Sequence, residues 1–173
     1  KGVWVRIASA DMLPAFYELC LQTAERNGFP PSSLRHFSVL FSAPAQHSEY
    51  PEILFLLAAK GRDVLAGIMI AVSGRQAMYL YGASSSEGRH LMGSYAIHWK
   101  AVKLVRERGC LTYDMGPVSP GADPRHPFYG MYRFKTGFGG NIRHRSGTWD
   151  YPLSRSRYSA FRNYEASGMK FSE

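Results

Sequence analysis

The residues best suited to chemistry lie in a glycine-rich segment, FKTGFGG at residues 134–140, which sets a lysine beside an aromatic ring. We expect Phe134 to anchor a strand or turn and Gly137 to let the backbone approach a ligand closely, because glycine carries no Cβ. The ammonium of Lys135 could then hold a phosphate and stabilise developing negative charge. The alternative is that the phenylalanines are core residues, the glycines form only a tight turn, and Lys135 is a solvated charge.

Two tyrosines and an aspartate are further candidates. Tyr79 and Tyr81 are two positions apart in a predicted strand, so the period-two alternation places both on one face. Tyr81 precedes Gly82, where the strand should end beside a loop, and its phenol could donate to a phosphate or to a reacting oxygen. The alternative is a core aromatic pair. Asp114 follows Tyr113 in the next predicted strand, and it could accept a proton from an attacking ammonium or hold a loop amide.

Arg26 stands near the end of a predicted helix, two residues before Gly28. A cation at this position complements the negative end of the helix dipole, which is a purely structural role. The alternative is that the guanidinium acts as a fork on a phosphate. The residue types alone leave both roles open.

The histidines and cysteines give no sign of a metal centre. None of the six histidines pairs with a serine or cysteine in a recognised nucleophile motif, and no cluster has zinc-ligand spacing. We expect His98 to be a satisfied surface or interfacial histidine on a long helix. Cys20 and Cys110 are expected to be buried core thiols, which fits a reducing, cytoplasmic setting.

The apolar periodicity predicts a single α+β domain over residues 1–173, with a mixed, mostly antiparallel sheet flanked by helices. Short turn signals separate the three central strands, which should form an antiparallel meander. We expect strands at residues 3–7, 53–60, 64–73, 76–81, 110–115 and 141–151, and helices at residues 11–27, 34–41, 92–108 and 155–167.

The net charge of +8 is concentrated in the last third of the chain. Between residues 125 and 162, Asp150 is the single acidic residue among eight basic ones: Arg125, Arg133, Lys135, Arg143, Arg145, Arg155, Arg157 and Arg162. A one-sided excess of this kind favours polyanionic partners such as nucleic acid, phosphate or an anionic membrane surface. The alternative is a solvated basic face that binds nothing.

Four segments together resemble the FemABX family of cell-wall aminoacyltransferases. They occur in the family order and span most of the chain: TAERNGF at residues 23–29, YLYGASS at 79–85, YAIHW at 95–99 with YDMG at 113–116, and FKTGFGG at 134–140 with GTWD at 147–150. Family members contain two GNAT-like domains, and these motifs are similar to those of the second. The resemblance therefore implies a GNAT-like acyltransferase fold and one half of a longer enzyme.

The resemblance also implies an activity, the transfer of an amino acid from aminoacyl-tRNA onto the side-chain amine of a peptidoglycan stem peptide. Aminoacyl-tRNA is then the co-substrate and no further cofactor is expected. The implied partners are a UDP- or lipid-linked muropeptide, the missing N-terminal GNAT-like domain and the anionic inner face of the plasma membrane. By motif position, Lys135 would grip a phosphate near the tRNA 3′ end, and Arg26 would bind the acceptor substrate.

Two other functions remain open. One is a CoA-dependent N-acyltransferase of the same fold, although the loop at residues 84–94 has only two isolated glycines and contains Glu87, which would repel a pyrophosphate. The other is a non-catalytic module that binds RNA or a muropeptide through the basic cluster.

Overall fold

A computed structural model describes residues 2–46, 50–147 and 149–167, and the side chains of residues 44–46 are outside this description. The chain divides into two compact units, Lys1–Gly139 and Gly140–Glu173. The first contains the sheet and four of the helices below, and the second contains one helix. Our assignment of residues 1–173 to a single domain stays a prediction.

The first unit is built on a five-stranded sheet in the order β1-β2-β3-β4-β5, formed by Trp4–Ile7, Glu52–Lys60, Asp63–Ser73, Gln76–Ser84 and Thr112–Asp114. Tight turns connect β2 to β3 and β3 to β4, with left-handed glycines at Gly61 and Gly74. The pairs from β1 to β4 are antiparallel, whereas β4 and β5 are parallel. This mixed, mostly antiparallel sheet confirms the predicted α+β class.

Helices cover both faces of this sheet. On one face lie α1 (Leu13–Asn27), which a short 3₁₀ turn precedes, and α2 (Leu34–Gln46). On the other lies α3 (Gly93–Glu107), which connects β4 to β5. The first core layer contains Phe16, Phe37, Phe55, Leu57 and Met69, and the second contains Leu56, Ile70, Ile97, Ala101 and Val105. Alternate residues of β2 and β3 serve opposite layers, as the strand period requires.

Two predictions for the last third of the chain are wrong. Residues 129–136 form a helix, α4 (Tyr129–Thr136), where we expected a strand or turn. Residues 141–147 and 149–151 form no strand, and Thr148 lies outside the described residues. Trp149 and Tyr151 are 82% and 88% exposed, so the apolar residues of this segment have no layer to pack against. Apolar alternation makes a strand only where a neighbouring strand and a core are available.

The second unit contains the predicted last helix, α5 (Arg155–Ala166). An ion pair between Arg162 and Glu165 and a hydrogen bond from the Tyr158 hydroxyl to Asp150, 2.7 Å long, lie within this unit. Of the basic cluster, Arg143, Arg145, Arg155, Arg157 and Arg162 belong to the second unit. In the described residues, every helix is too short or too polar to cross a lipid bilayer.

Candidate functional site

A groove of about 1070 Å³ opens where β5 stops short of the end of β4. The two strands pair only from Gln76 to Met78, opposite Thr112 to Asp114, while β4 continues to Ser84. The second half of β4 therefore lacks β5 on that side, and the groove runs along it. The start of α3 forms the opposite wall, and Gly93 makes its close approach feasible, since a Cβ there would lie 2.9 Å from the Cβ of Leu65.

A β-bulge in β4 separates the two candidate tyrosines. Met69 of β3 pairs with Tyr81 and Ile70 pairs with Tyr79, so Leu80 is an extra residue with no partner in β3. Tyr79 consequently packs in the layer below α3 and lines the groove. Tyr81 lies in the α1–α2 layer. Our prediction that both phenols share one face is wrong, because the bulge shifts the alternation by one residue.

Tyr81 has its contacts on the far side of the sheet. Its hydroxyl lies 2.9 Å from Nε2 of His36, and its ring packs edge-on against the rings of His36 and Phe37. It also lines a smaller cavity of about 240 Å³ beside Pro30 and Pro31. Tyr81 is thus apart from the groove that Tyr79 lines.

Polar side chains surround one end of the groove. The Arg26 guanidinium donates to the Ser84 carbonyl at 3.2 Å and to the Ser86 hydroxyl at 3.0 Å. Thr23 donates to the Ser84 carbonyl and accepts from its amide, which fixes the end of β4 to α1. Burial, together with the nearby charge of Arg89, lowers the pKa of Arg26. Two cations close enough to repel each other make this end of the groove electropositive.

Aromatic side chains surround the other end. Tyr95 of α3 packs edge-on against Phe134 of α4, with ring centroids 4.9 Å apart, and stacks on Phe138 at 5.6 Å. The ring of Tyr79 lies edge-on to His98 at 4.7 Å. Phe134 lines the groove from helix α4, and not from the strand or turn we expected. Burial raises the pKa of Tyr79 to about 12, so its phenol stays protonated.

His98 is one of the residues of this site that we did not identify as candidates from the sequence, and Arg89 is another. His98 lines the groove, yet only 1% of its surface is exposed, and its Nδ1 lies 3.0 Å from the Tyr113 hydroxyl. Burial and the neighbouring Lys135 charge lower the pKa of His98 to about 4, which keeps the imidazole neutral. The spacing to the buried Ala101 and Val105, three and seven residues on, is a helical core pattern that could have indicated burial.

Lys135 is buried behind the groove wall. It is 7% exposed, its Nζ donates to the Pro117 carbonyl at 2.8 Å, and the ammonium lies 5.7 Å from the centroid of the Tyr79 ring. Burial lowers the pKa of Lys135, and the charge of Asp114 opposes that shift. Lys135 is not among the groove-lining residues, so our expectation of an open, glycine-flanked ammonium is not met. The cause is α4, which turns the side chain inward towards the loop after β5.

The two other predicted site residues lie at the ends of elements, Asp114 at the end of β5 and Gly137 directly after α4. Asp114 accepts a hydrogen bond of 2.7 Å from the Gly116 amide, which is the loop contact that we considered for it. Gly137 ends α4, and its amide donates to the Arg133 carbonyl. Neither lines the groove. Over the described ranges, no three His, Cys, Asp or Glu side chains are grouped as metal ligands would be.

Comparison with known proteins relates this chain to a family. The model of the FemAB family matches residues 45–165. A lipid II:glycine glycyltransferase of Staphylococcus aureus (strain USA300) is 31% identical over 114 residues, which are 66% of this chain and 25% of that protein. The chain thus spans about a quarter of the length of the curated relatives it matches.

Solved structures share the fold. FemX superposes with a TM-score of 0.80 at 20% identity, over 92% of this chain and 56% of FemX. The PaiA N-acetyltransferase of Thermoplasma acidophilum, solved with coenzyme A, gives a TM-score of 0.63 at 14% identity, over 85% of this chain and 94% of that one. These similarities confirm the GNAT-like fold. Because the family model covers most of the chain, this chain belongs to the FemAB family.

Proposed function

We propose that this chain is the acyl-transfer half of an enzyme that joins an amino acid to the side-chain amine of a peptidoglycan precursor, with aminoacyl-tRNA as the donor. The observation that carries the proposal is the groove along the unpaired half of β4, electropositive at Arg26 and aromatic at Tyr79 and Phe134, in a chain of the FemAB family. The glycyltransferase relative, whose name specifies lipid II, supports a muropeptide acceptor.

The reaction that we propose needs little covalent help from the protein. An aminoacyl ester is already activated, so the enzyme must mainly hold the acceptor amine against the ester carbonyl. Positioning of this kind contributes on the order of 7–11 kcal/mol to lowering the barrier. Hydrogen-bond donors for the tetrahedral oxyanion contribute about 3 kcal/mol each.

The two ends of the groove would bind different parts of the substrates. Arg26 with Arg89 would bind phosphate, because two neighbouring cations favour an anion. Tyr79 and Phe134 would enclose the aminoacyl group, since apolar walls exclude the water that would hydrolyse the ester. The carbonyl to be attacked would then lie beside the second half of β4.

Lys135 enters this proposal as a fixed positive charge behind Tyr79. In a buried setting its field acts across the groove wall with little screening. Direct contact with a tRNA phosphate would require the ammonium to leave the Pro117 carbonyl. Asp114 and Gly137 would hold the surrounding turns, and Tyr81 would fix β4 against α2 through His36.

We also propose that the complete protein supplies what this chain lacks. An N-terminal GNAT-like half, as the family has, would complete the acceptor site, and the acceptor would be a UDP- or lipid-linked muropeptide. The proposed setting is the cytoplasm, at the inner face of the plasma membrane when the acceptor is lipid-linked.

A transfer assay tests the proposal. The full-length protein is incubated with aminoacyl-tRNAs carrying different labelled amino acids, together with soluble or lipid-linked muropeptide. We expect label on the muropeptide for at least one donor, and a muropeptide that remains unlabelled with every donor would refute the proposal.

A CoA-dependent N-acyltransferase is the second candidate, favoured by the fold shared with a protein solved with coenzyme A. Isothermal titration with acetyl-CoA separates the two functions. Tight, stoichiometric binding of acetyl-CoA would favour the second candidate. A non-catalytic binding module would instead bind tRNA or muropeptide and transfer nothing.

A further inference from the structure

The buried histidine on α3 is enclosed by groups from every element packed around it. Tyr79 of β4 lies edge-on to the His98 ring, and Phe134 and Phe138 pack on it with centroids 5.4 and 5.7 Å away. Tyr113 of β5 provides its hydrogen-bond partner. The nearby charged side chain that affects the imidazole is Lys135, and it disfavours a second positive charge. The ring is therefore neutral under physiological conditions.

The direction of the hydrogen bond at Nδ1 decides which ring nitrogen carries the proton. Burial raises the pKa of the Tyr113 phenol far above its usual range, so the hydroxyl keeps its hydrogen. The hydroxyl lies 3.0 Å from Nδ1 of His98, and the direction of this hydrogen bond depends on the tautomer of the ring, because a phenol can both donate and accept. With the phenol as the donor, Nδ1 is the unprotonated acceptor and the neutral ring carries its proton on Nε2, which is the tautomer that the proposal below requires.

The second ring nitrogen of His98, Nε2, lies beside the groove. No hydrogen bond to Nε2 of His98 is formed by the described residues. Every fully buried side-chain nitrogen in the described residues has a hydrogen-bond partner. The small exposed surface of His98, a residue that lines the groove, therefore includes Nε2. In that tautomer, Nε2–H is a donor beside the groove for which the described residues provide no acceptor.

We propose that the Nε2–H of His98 donates a hydrogen bond to the carbonyl oxygen of the aminoacyl ester and holds the oxyanion that forms there. This inference rests on the proposed function. The neutral acceptor amine attacks the carbonyl carbon, a C–N bond forms, and the π electrons move to the oxygen that faces His98. Collapse breaks the bond to the ribose oxygen, and the proton lost by the amine ends on that ribose hydroxyl. His98 keeps its own proton throughout, and Tyr113 is the positioning residue that selects the tautomer.

Nitrogen NMR tests the tautomer without any substrate. The full-length protein is labelled with ¹⁵N-histidine, and the His98 signals are assigned from their loss in His98→Gln. We expect the ¹⁵N chemical shift of an unprotonated ring nitrogen for Nδ1 and that of a protonated one for Nε2. In Tyr113→Phe the two shifts should be exchanged or averaged. A proton on Nδ1 in the parent, or an imidazolium at neutral pH, would overturn the inference.

Steady-state kinetics test the donor. We expect His98→Phe, which keeps a ring against Tyr79, to lower kcat about 100-fold with KM changed by less than about threefold, the effect typical of a lost oxyanion donor. His98→Gln should recover part of that loss, because its amide can donate to the groove while its carbonyl accepts from Tyr113. Lys103→Gln, on the exposed side of the same helix, is the matched control.

The possible outcomes distinguish the role of His98 from the proposed transfer function on which it rests. Parental transfer with an unchanged kcat in a folded His98→Phe variant refutes the role of His98 alone. A parent that transfers no amino acid from any tRNA refutes the proposed function and this role with it. If His98→Phe does not fold, as circular dichroism would show, the kinetics of His98→Gln and Tyr113→Phe decide, and parental kcat in both would overturn the proposal.

Discussion

The neutral imidazole of His98 should make the stability of this protein depend on pH in a defined way. Its pKa falls from an ordinary 6.5 to about 4 on folding. Below pH 6.5 the unfolded chain binds a proton at this site, whereas the folded protein does so only near pH 4. The unfolded state then binds more protons, so the free energy of unfolding falls as the pH is lowered through this window.

The size of the pKa shift of His98 determines how much the free energy of unfolding changes with pH. A difference of about 2.5 pKa units corresponds to about 3 kcal/mol at pH 4 and below, and to almost nothing above pH 7. Urea unfolding of the parent and of His98→Phe is measured from pH 4 to pH 8. We expect the parent to lose about 3 kcal/mol more than the variant over this range, because the other ionisable groups cancel in the difference. Parallel pH profiles would show that His98 titrates as an exposed histidine does and would refute the reasoning.

Four further predictions concern the groove and the basic cluster. Lys135→Met removes the donor to the Pro117 carbonyl, so we expect the free energy of unfolding to fall by about 1–3 kcal/mol in a chain that still folds. Transfer should be abolished, and near-normal turnover would contradict this. Arg26→Ala should weaken muropeptide binding at least tenfold by calorimetry, since a charge-assisted hydrogen bond is lost, and parental affinity would speak against it. Gly82→Ala places a methyl group on the Tyr79 hydroxyl, so kcat should fall at least tenfold, while Gly121→Ala, with open space around it, should leave kcat unchanged. Affinity for tRNA should fall steeply with salt, and a flat response would argue against a nucleic-acid partner.

The regular elements of the first unit could be predicted from the sequence because each has a clear period. Alternation in β2 and β3, the turns at Gly61 and Gly74, and the apolar stripe of α1 all correspond to observed elements. Tertiary context overrode the pattern elsewhere. The bulge at Leu80 reverses which face Tyr81 occupies, and strand alternation cannot reveal such an extra residue.

The site was less predictable than the fold, since burial decides what each side chain can do. Lys135 reads as a solvated or ligand-binding charge in a glycine-rich segment, but α4 directs it to the Pro117 carbonyl. His98 reads as a polar surface residue, although its spacing to Ala101 and Val105 fits the buried face of α3. The Arg26 position was predicted, and its contacts with β4 depend on a loop conformation that no local pattern contains.

A crystal structure of the full-length protein with a non-hydrolysable aminoacyl-adenosine amide tests most directly whether this groove is the acyl-transfer site. We predict the aminoacyl group between Tyr79 and Phe134, with its carbonyl oxygen within hydrogen-bonding distance of Nε2 of His98. An analogue bound elsewhere, or seated in the groove with its carbonyl turned away from α3, would contradict the account.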